Sequence, residues 1–142
     1  MNFKRILVAF DGSEQSKKAL EVALDLSKKY DAELSIVEVI PTELLAGMGF
    51  TPIPDSVINQ IFEKARKDMD YVKNLLSKEG IKFRTDILQG DPGTEIVNYS
   101  NKNNIDLIVT GSRGLSGVKK LFLGSVSSKI VSEAKVAVLV VK

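Results

Sequence analysis

Between residues 105 and 125 the chain sets glycines and hydroxyls at a spacing suited to holding phosphate. The apolar run Ile105-Asp106-Leu107-Ile108-Val109-Thr110 leads straight into Gly111-Ser112-Arg113-Gly114. After nine intervening residues, Gly124-Ser125 opens a helical pattern. A strand that empties into glycines and is followed by a helix start presents backbone N–H groups to an anion. Glycine lets the main chain approach a ligand closely and take φ > 0 without a Cβ clash. The helix N-terminus adds unpaired donors and roughly half a positive charge. A lone glycine would only punctuate a strand. Here two glycines, an unusually long connection over residues 112–123, the basic side chains within it and the Gly124-Ser125 helix start coincide.

Composition removes most other chemistry. There is no cysteine and no histidine. Thiolate nucleophiles, disulfides, zinc–thiolate sites and a Ser-His-Asp hydrolase are therefore excluded. What remains is carboxylates, lysine, hydroxyls, backbone dipoles, or a metal carried in by a ligand. The net charge of +2 lacks the clustered basic stripe of a nucleic-acid binder, so no nucleic-acid partner is expected. Lys17, Lys18, Lys28 and Lys29 read as solvated helix faces. No apolar run reaches the ~20 residues of a membrane span, and Met1-Asn2-Phe3-Lys4-Arg5 shows no signal-peptide pattern. One cytoplasmic domain over residues 1–142 is the expectation.

The elements that must position the glycines alternate along the chain. Ile6-Leu7-Val8-Ala9-Phe10 reads as a strand buried on both faces, ended by Asp11-Gly12-Ser13. Ser13 is the expected N-cap of a helix whose apolar face is Ala19, Val22, Ala23, Leu26 and Tyr30. A second strand follows over Leu34 to Ile40. Residues 41–54 then read as a loop, with Pro41, Gly47, Gly49, Pro52 and Pro54. A second helix starting near Asp55 or Ser56 carries Ile58, Phe62, Ala65, Met69, Val72 and Leu76, with Gly80 as its stop. The third strand, Ile81 to Leu88, alternates, which predicts one wet face and an edge position. Asp91 and Pro92 are the expected N-cap and first residue of a third helix. The fourth strand is the run into Gly111, the fourth helix begins near Gly124-Ser125, and Val136 to Val141 forms the fifth strand.

This predicts an α/β fold: a single-domain, doubly wound, five-stranded parallel sheet of order 3-2-1-4-5 with helices on both faces. The order reverses between strands one and four, and ligands of open α/β sheets bind at that switch point, beyond the carboxyl ends of the strands. Asp11 and Gly111 end those two strands, so both point to one pocket. The motif is not a Walker A loop, because Gly117-Val118-Lys119-Lys120 lacks the spacing and the hydroxyl. It is not the dinucleotide fingerprint either, since strand one offers only Asp11-Gly12-Ser13. A phosphoacceptor receiver is rejected: Asp11 has no acidic neighbour, and strand three ends at Leu88-Gln89-Gly90. Asp106 reads as a structural carboxylate, and Lys119 and Lys120 as solvated loop charges.

Gly111-x2-Gly114-x9-Gly124-Ser125, with Ala9-Phe10-Asp11-Gly12-Ser13 after strand one and Leu123-Gly124-Ser125-Val126 around the second glycine pair, resembles the ATP-binding branch of the universal stress protein family over essentially the whole chain. The resemblance implies an ATP-bound homodimer acting as a nucleotide-dependent switch, with little catalysis of its own. It implies that Ala9 and Asp11 line the nucleoside end, with Asp11 accepting from a ribose hydroxyl or holding metal-bound water. It places the backbone of Val39 at the adenine edge and Thr110 beside ribose and base. Gly111, Ser112, Arg113 and Gly114 would wrap the ribose and α-phosphate, and Gly124, Ser125 and Val126 would hold the outer phosphates. Mg²⁺ or Mn²⁺ would arrive on the triphosphate, with no metal site from the protein alone. Thr110 stands where the family often has Met, and Ala137 where the last strand commonly has proline. The alternative function is an ATP hydrolase or nucleotidyl-cleaving enzyme on the same fold.

Strand five, Val136 to Val141, is an edge strand without charge or proline. Edges of that kind recruit other chains, so a homodimer through this strand is expected, alongside any further protein partner.

Overall fold

The computed structural model describes residues 2–46, 52–113 and 123–142. Five parallel strands form one sheet: β1 (Arg5–Ala9), β2 (Glu33–Pro41), β3 (Phe83–Gly90), β4 (Leu107–Gly111) and β5 (Ala137–Val141), in the order β3-β2-β1-β4-β5. Helices α1 (Glu14–Tyr30) and α3 (Asp55–Leu76) cover one face. Helices α4 (Pro92–Lys102) and α5 (Ser125–Glu133) cover the other, and α2 (Thr42–Ala46) is a short turn of helix after β2. This is the doubly wound architecture expected from the alternating pattern.

The periodicities explain the layers. Ile6, Val8, Leu34 and Ile36 send their side chains to the α1–α3 face with Ala19, Leu20, Met69, Val72 and Leu76. Leu7, Val37 and Ile108 pack on the other face with Ile96, Tyr99 and Ile130. Successive strand residues alternate between two covered faces, which is why β1 and β4 read as unbroken apolar runs. Asp106 accepts the backbone N–H groups of Lys4 and Arg5 at 2.9 Å each, tying the starts of β1 and β4 together.

Three details differ from the sequence expectations. The segment 41–54 is not loop throughout: Pro41 ends β2 and Thr42–Ala46 form α2. Helix α3 ends at Leu76 with Ser77 as its cap, and Gly80 supplies a positive φ of 68° farther on, in the turn before β3. Strand β3 is at the edge, but its second face is wet only in part: Arg84 is exposed, while Asp86 and Leu88 are half-buried. Leu88 packs against the α4 side of the core, and the Asp86 carboxylate accepts the Tyr99 hydroxyl at 2.9 Å. Its alternation reflects a polar group bonded beneath a helix.

Candidate functional site

A cavity of about 350 Å³ lies across the carboxyl ends of β1, β2 and β4, where the strand order reverses. Ala9, Phe10 and Asp11 line it from β1 and its loop, Val37 to Pro41 from β2, Thr110 and Gly111 from β4, and Ile61 and Lys64 from α3. Ser16 of α1, Pro92 and Ile96 of α4, Arg113, and Gly124 to Ser127 at the start of α5 complete the described wall. The volume is within the range of small-molecule sites.

The start of α5 is built to leave donors available. Gly124 is the N-cap, in extended conformation, and no side chain among the described residues caps the helix. The Gly124 N–H is itself held by the Ser112 carbonyl at 2.8 Å, which fixes the approach of the chain. The Ser127 hydroxyl turns inward to the carbonyls of Ser112 and Gly124. The first residues of α5, Gly124 to Ser127, thus line the cavity at the positive end of the helix dipole, an anion-binding arrangement.

On the β2–α3 side the cavity wall is acidic. Glu38 is only 5% exposed although it sits in an otherwise apolar stretch of strand. Its Oε1 has no hydrogen-bond partner among the described residues. Its Oε2 lies 3.5 Å from Lys64 Nζ, which bonds more closely to Asp68 Oδ2 at 2.7 Å and to the Asp11 carbonyl at 2.6 Å. Burial, and then the hydrogen bond and charge of neighbouring Asp68, push the Glu38 carboxyl up to about 9, and Lys64 offsets only part of that. Glu38 therefore holds its proton at neutral pH. Burial alone would lower Lys64, but the Asp68 hydrogen bond and the surrounding carboxylate charges outweigh it and raise its pKa. The short Lys64–Asp68 bond is the ion pair; the longer contact to Glu38 is charge against dipole.

A family model described as the universal stress protein family matches residues 2–142. The chain belongs to the universal stress protein family. It is 37% identical to universal stress protein YxiE of Bacillus subtilis, an alignment covering 99% of each chain. The solved structure of hypothetical protein MJ0577 superposes with a TM-score of 0.89 at 29% identity, covering 100% of this chain and 97% of that one. A universal stress protein from Archaeoglobus fulgidus, solved in complex with dAMP, shares the fold at a TM-score of 0.72 and 22% identity, each chain covered in full.

In this universal stress protein, Ala9, Asp11, Val39, Thr110, Gly111, Arg113, Gly124, Ser125 and Val126 all line one cavity. Ser112 does not. Its hydroxyl donates to Gln15 Oε1 at 3.1 Å, its N–H to the Val141 carbonyl, and its own carbonyl receives Gly124. It is a pin between β5, α1 and α5 rather than part of the wall. Gly114, Lys119 and Lys120 lie outside the described residues. Gly111 is explained by packing: a Cβ there would come within 3.0 Å of the Gln15 backbone, so the glycine lets α1 close onto the end of β4. Gly12 takes the positive φ, 83°, and a Cβ on it would strike Asp68. Asp11 Oδ1 accepts the Ser13 N–H at 2.9 Å, so this carboxylate shapes the β1–α1 turn as well as lining the cavity.

Sequence reasoning missed Glu38, Ser16, Ile61, Lys64 and Asp68. The usable signal was a carboxylate inside the apolar run Leu34 to Ile40, with Lys64 and Asp68 one helical turn apart beside the apolar face of α3.

Proposed function

We propose that this universal stress protein binds an adenine nucleotide, ATP with Mg²⁺ or Mn²⁺, in the switch-point cavity and acts as a nucleotide-dependent switch or stress-response module. The observation that carries the reading is the start of α5: a helix without a side-chain cap among the described residues, its first residues Gly124 to Ser127 lining the cavity together with Arg113. That end suits the phosphates, with Gly124, Ser125 and Val126 holding the outer ones and Gly111 and Arg113 beside the α-phosphate. The apolar stretch near Val39, Ile40 and Ile61 suits a base, and Asp11, Ala9 and Thr110 a ribose. The dAMP held by the Archaeoglobus fulgidus relative supports an adenine nucleotide as the ligand class. No group of three or more acidic residues among the described residues could hold a metal ion. The cation would come on the triphosphate, with Asp11 within reach of its water shell. No described helix is long and apolar enough to cross a membrane.

The test is to purify the protein, denature it, identify any released nucleotide and then titrate refolded protein with ATP and Mg²⁺. Recovered ATP, or calorimetric binding of ATP, is expected. Recovered ADP or AMP instead points to turnover. No bound nucleotide and no binding at millimolar ATP refutes the reading.

The same reading includes a homodimer through β5. Among the described residues this strand pairs only with β4, and Ala137 and Leu139 are exposed along it. Val138 packs against the α4–α5 side of the core, so the informative substitution is at Leu139. Leu139→Lys should convert a sedimenting dimer to a folded monomer. Wild-type protein that is monomeric at tens of micromolar refutes the dimer.

A further inference from the structure

Helix α3 is docked along only part of its length. Ala65, Met69, Val72 and Leu76 are buried, the last three within the core on that face of the sheet. From Asp55 to Lys64 no residue is buried. Ile58, Ile61 and Phe62 are half-buried there and pack against neither core cluster, and Val57 is 39% exposed. The helix follows Pro54 with no side-chain cap among the described residues. Isolated helical stretches shorter than ~12–15 residues are marginal in water, so this first half depends on what it is tied to.

One side chain ties it. Lys64, the last residue of that half, donates to the Asp11 carbonyl at 2.6 Å and to Asp68 Oδ2 at 2.7 Å, with Glu38 Oε2 at 3.5 Å. Among the described residues, no other side chain between 55 and 64 makes a hydrogen bond or ion pair outside α3. Asp68 rests on the same turn: a Cβ on Gly12 would come within 2.6 Å of its Oδ1. The docked part of α3 thus begins where Lys64 and Asp68 meet the backbone of the turn that lines the cavity through Asp11. Ile61, one turn before Lys64, lines the same cavity. A base bound there gives Ile61 an apolar surface to pack on, so a filled cavity favours the wound helix.

We infer that residues 55–64 of α3 are the nucleotide-responsive element of this protein: they exchange between a frayed form and a form wound over the cavity, with Lys64 as the latch at the boundary, and bound nucleotide shifts the balance to the wound form. This rests on the nucleotide-binding reading above and gives it a moving part. Lys64 is a positioning residue here, acting through the Asp11 turn and not through a bond to the nucleotide.

The experiment follows hydrogen–deuterium exchange by mass spectrometry, on peptides covering 55–64 and 65–76, in wild type, Lys64→Met and Lys64→Arg. Each is measured with and without ATP and Mg²⁺, and calorimetry on the same samples reports binding. Without nucleotide, wild-type 55–64 should exchange faster than 65–76. Lys64→Met should speed 55–64 by about tenfold, the value of one hydrogen bond, with 65–76 unchanged. Lys64→Arg keeps charged donors at the turn and should restore most of the protection. In wild type, ATP at about ten times its Kd should slow 55–64 about tenfold, as mass action on the wound form requires. Exchange in Lys64→Met equal to wild type, or raised equally over both halves, overturns the latch. ATP that binds by calorimetry and leaves 55–64 unchanged overturns the nucleotide response while the binding reading stands. No binding at millimolar ATP refutes the binding reading and the response with it.

Discussion

Helices α4 and α5 lie on the same face of the sheet, each begins at the carboxyl end of the strand before it, and they begin in opposite ways. At α4 the Asp91 carboxylate accepts the Thr94 N–H at 3.0 Å and the Thr94 hydroxyl at 2.8 Å, with Pro92 in the first turn. The helix consumes its own exposed donors and supplies its own negative charge. At α5 the cap is Gly124, which has no side chain to offer, and the first turn contains no acidic residue. Lys129 of α5 even reaches across to Asp91 at 3.1 Å, adding its charge to a site already closed. The same backbone element is thus closed in one place and left open in the other by a single choice of cap. Both starts border the cavity at the carboxyl ends of the central strands, through Pro92 and through Gly124 to Ser127, but only the α5 start is left without its own acidic cap.

Closing the open end should have the largest effect. Gly124→Asp gives α5 the cap that α4 has, in a backbone conformation already extended and suited to an N-cap. The helix should be no less stable, while the new carboxylate occupies the donors and repels phosphate. ATP affinity should fall at least about 100-fold, near 2.7 kcal/mol, as measured by calorimetry, with the thermal midpoint unchanged or higher. Unchanged affinity would show that the start of α5 is not the phosphate site.

The asymmetry also separates what the sequence disclosed from what it hid. Ser13, Asp91-Pro92 and Gly124-Ser125 were visible as helix starts because capping is local: the side chain and the amides it serves lie within three residues of each other. The strand order followed from apolar runs over β1 and β4 and alternation in β3, since burial on two faces leaves its mark on one strand at a time. Contacts between distant segments left no such mark. Gly111 was legible as a strand end, but its reason, contact with the Gln15 backbone, depends on how α1 docks. Ser112 carries the motif spacing, yet its hydroxyl turns away to Gln15. Glu38, Lys64 and Asp68 come from a strand and a helix separated by the segment 41–54, and only the fold brings Glu38 and Lys64 to one wall of the cavity with Asp68 paired behind them to Lys64. A charge inside an apolar strand was the one sign in the sequence that something must answer it.

Removing the closed cap should cost stability and leave binding alone. Asp91→Ala loses the bonds to Thr94 and should destabilise the domain by about 1 kcal/mol, read by denaturant unfolding. The ATP affinity should stay within about twofold of wild type. A large loss of binding here would mean that the two helix starts act together, and the contrast between them would fail.

The smallest effect is the charge on that cap, separated from its hydrogen bonds by pH. The hydrogen bond from the Thr94 hydroxyl, then that from the Thr94 N–H, then Lys129, hold the Asp91 carboxyl below its ordinary value of 3.8. A carboxylate whose folded pKa is depressed stabilises the fold above its unfolded value, and that contribution disappears as pH falls through the folded one. The window therefore opens near pH 3.8 and extends downward. Asp91 is largely exposed, so solvent and salt weaken the effect, and it should stay under about 1 kcal/mol. Asp91→Asn keeps an oxygen able to cap Thr94 but cannot titrate. Thermal melts of the two proteins should differ by a constant amount above about pH 5 and converge on acidification below pH 4, and added salt should shrink the constant gap. A gap that persists unchanged to pH 2 would show that the cap works through its hydrogen bonds alone. The dipole would then add nothing at α4, and the case for α5 as an anion site would rest on its first amides instead of its field.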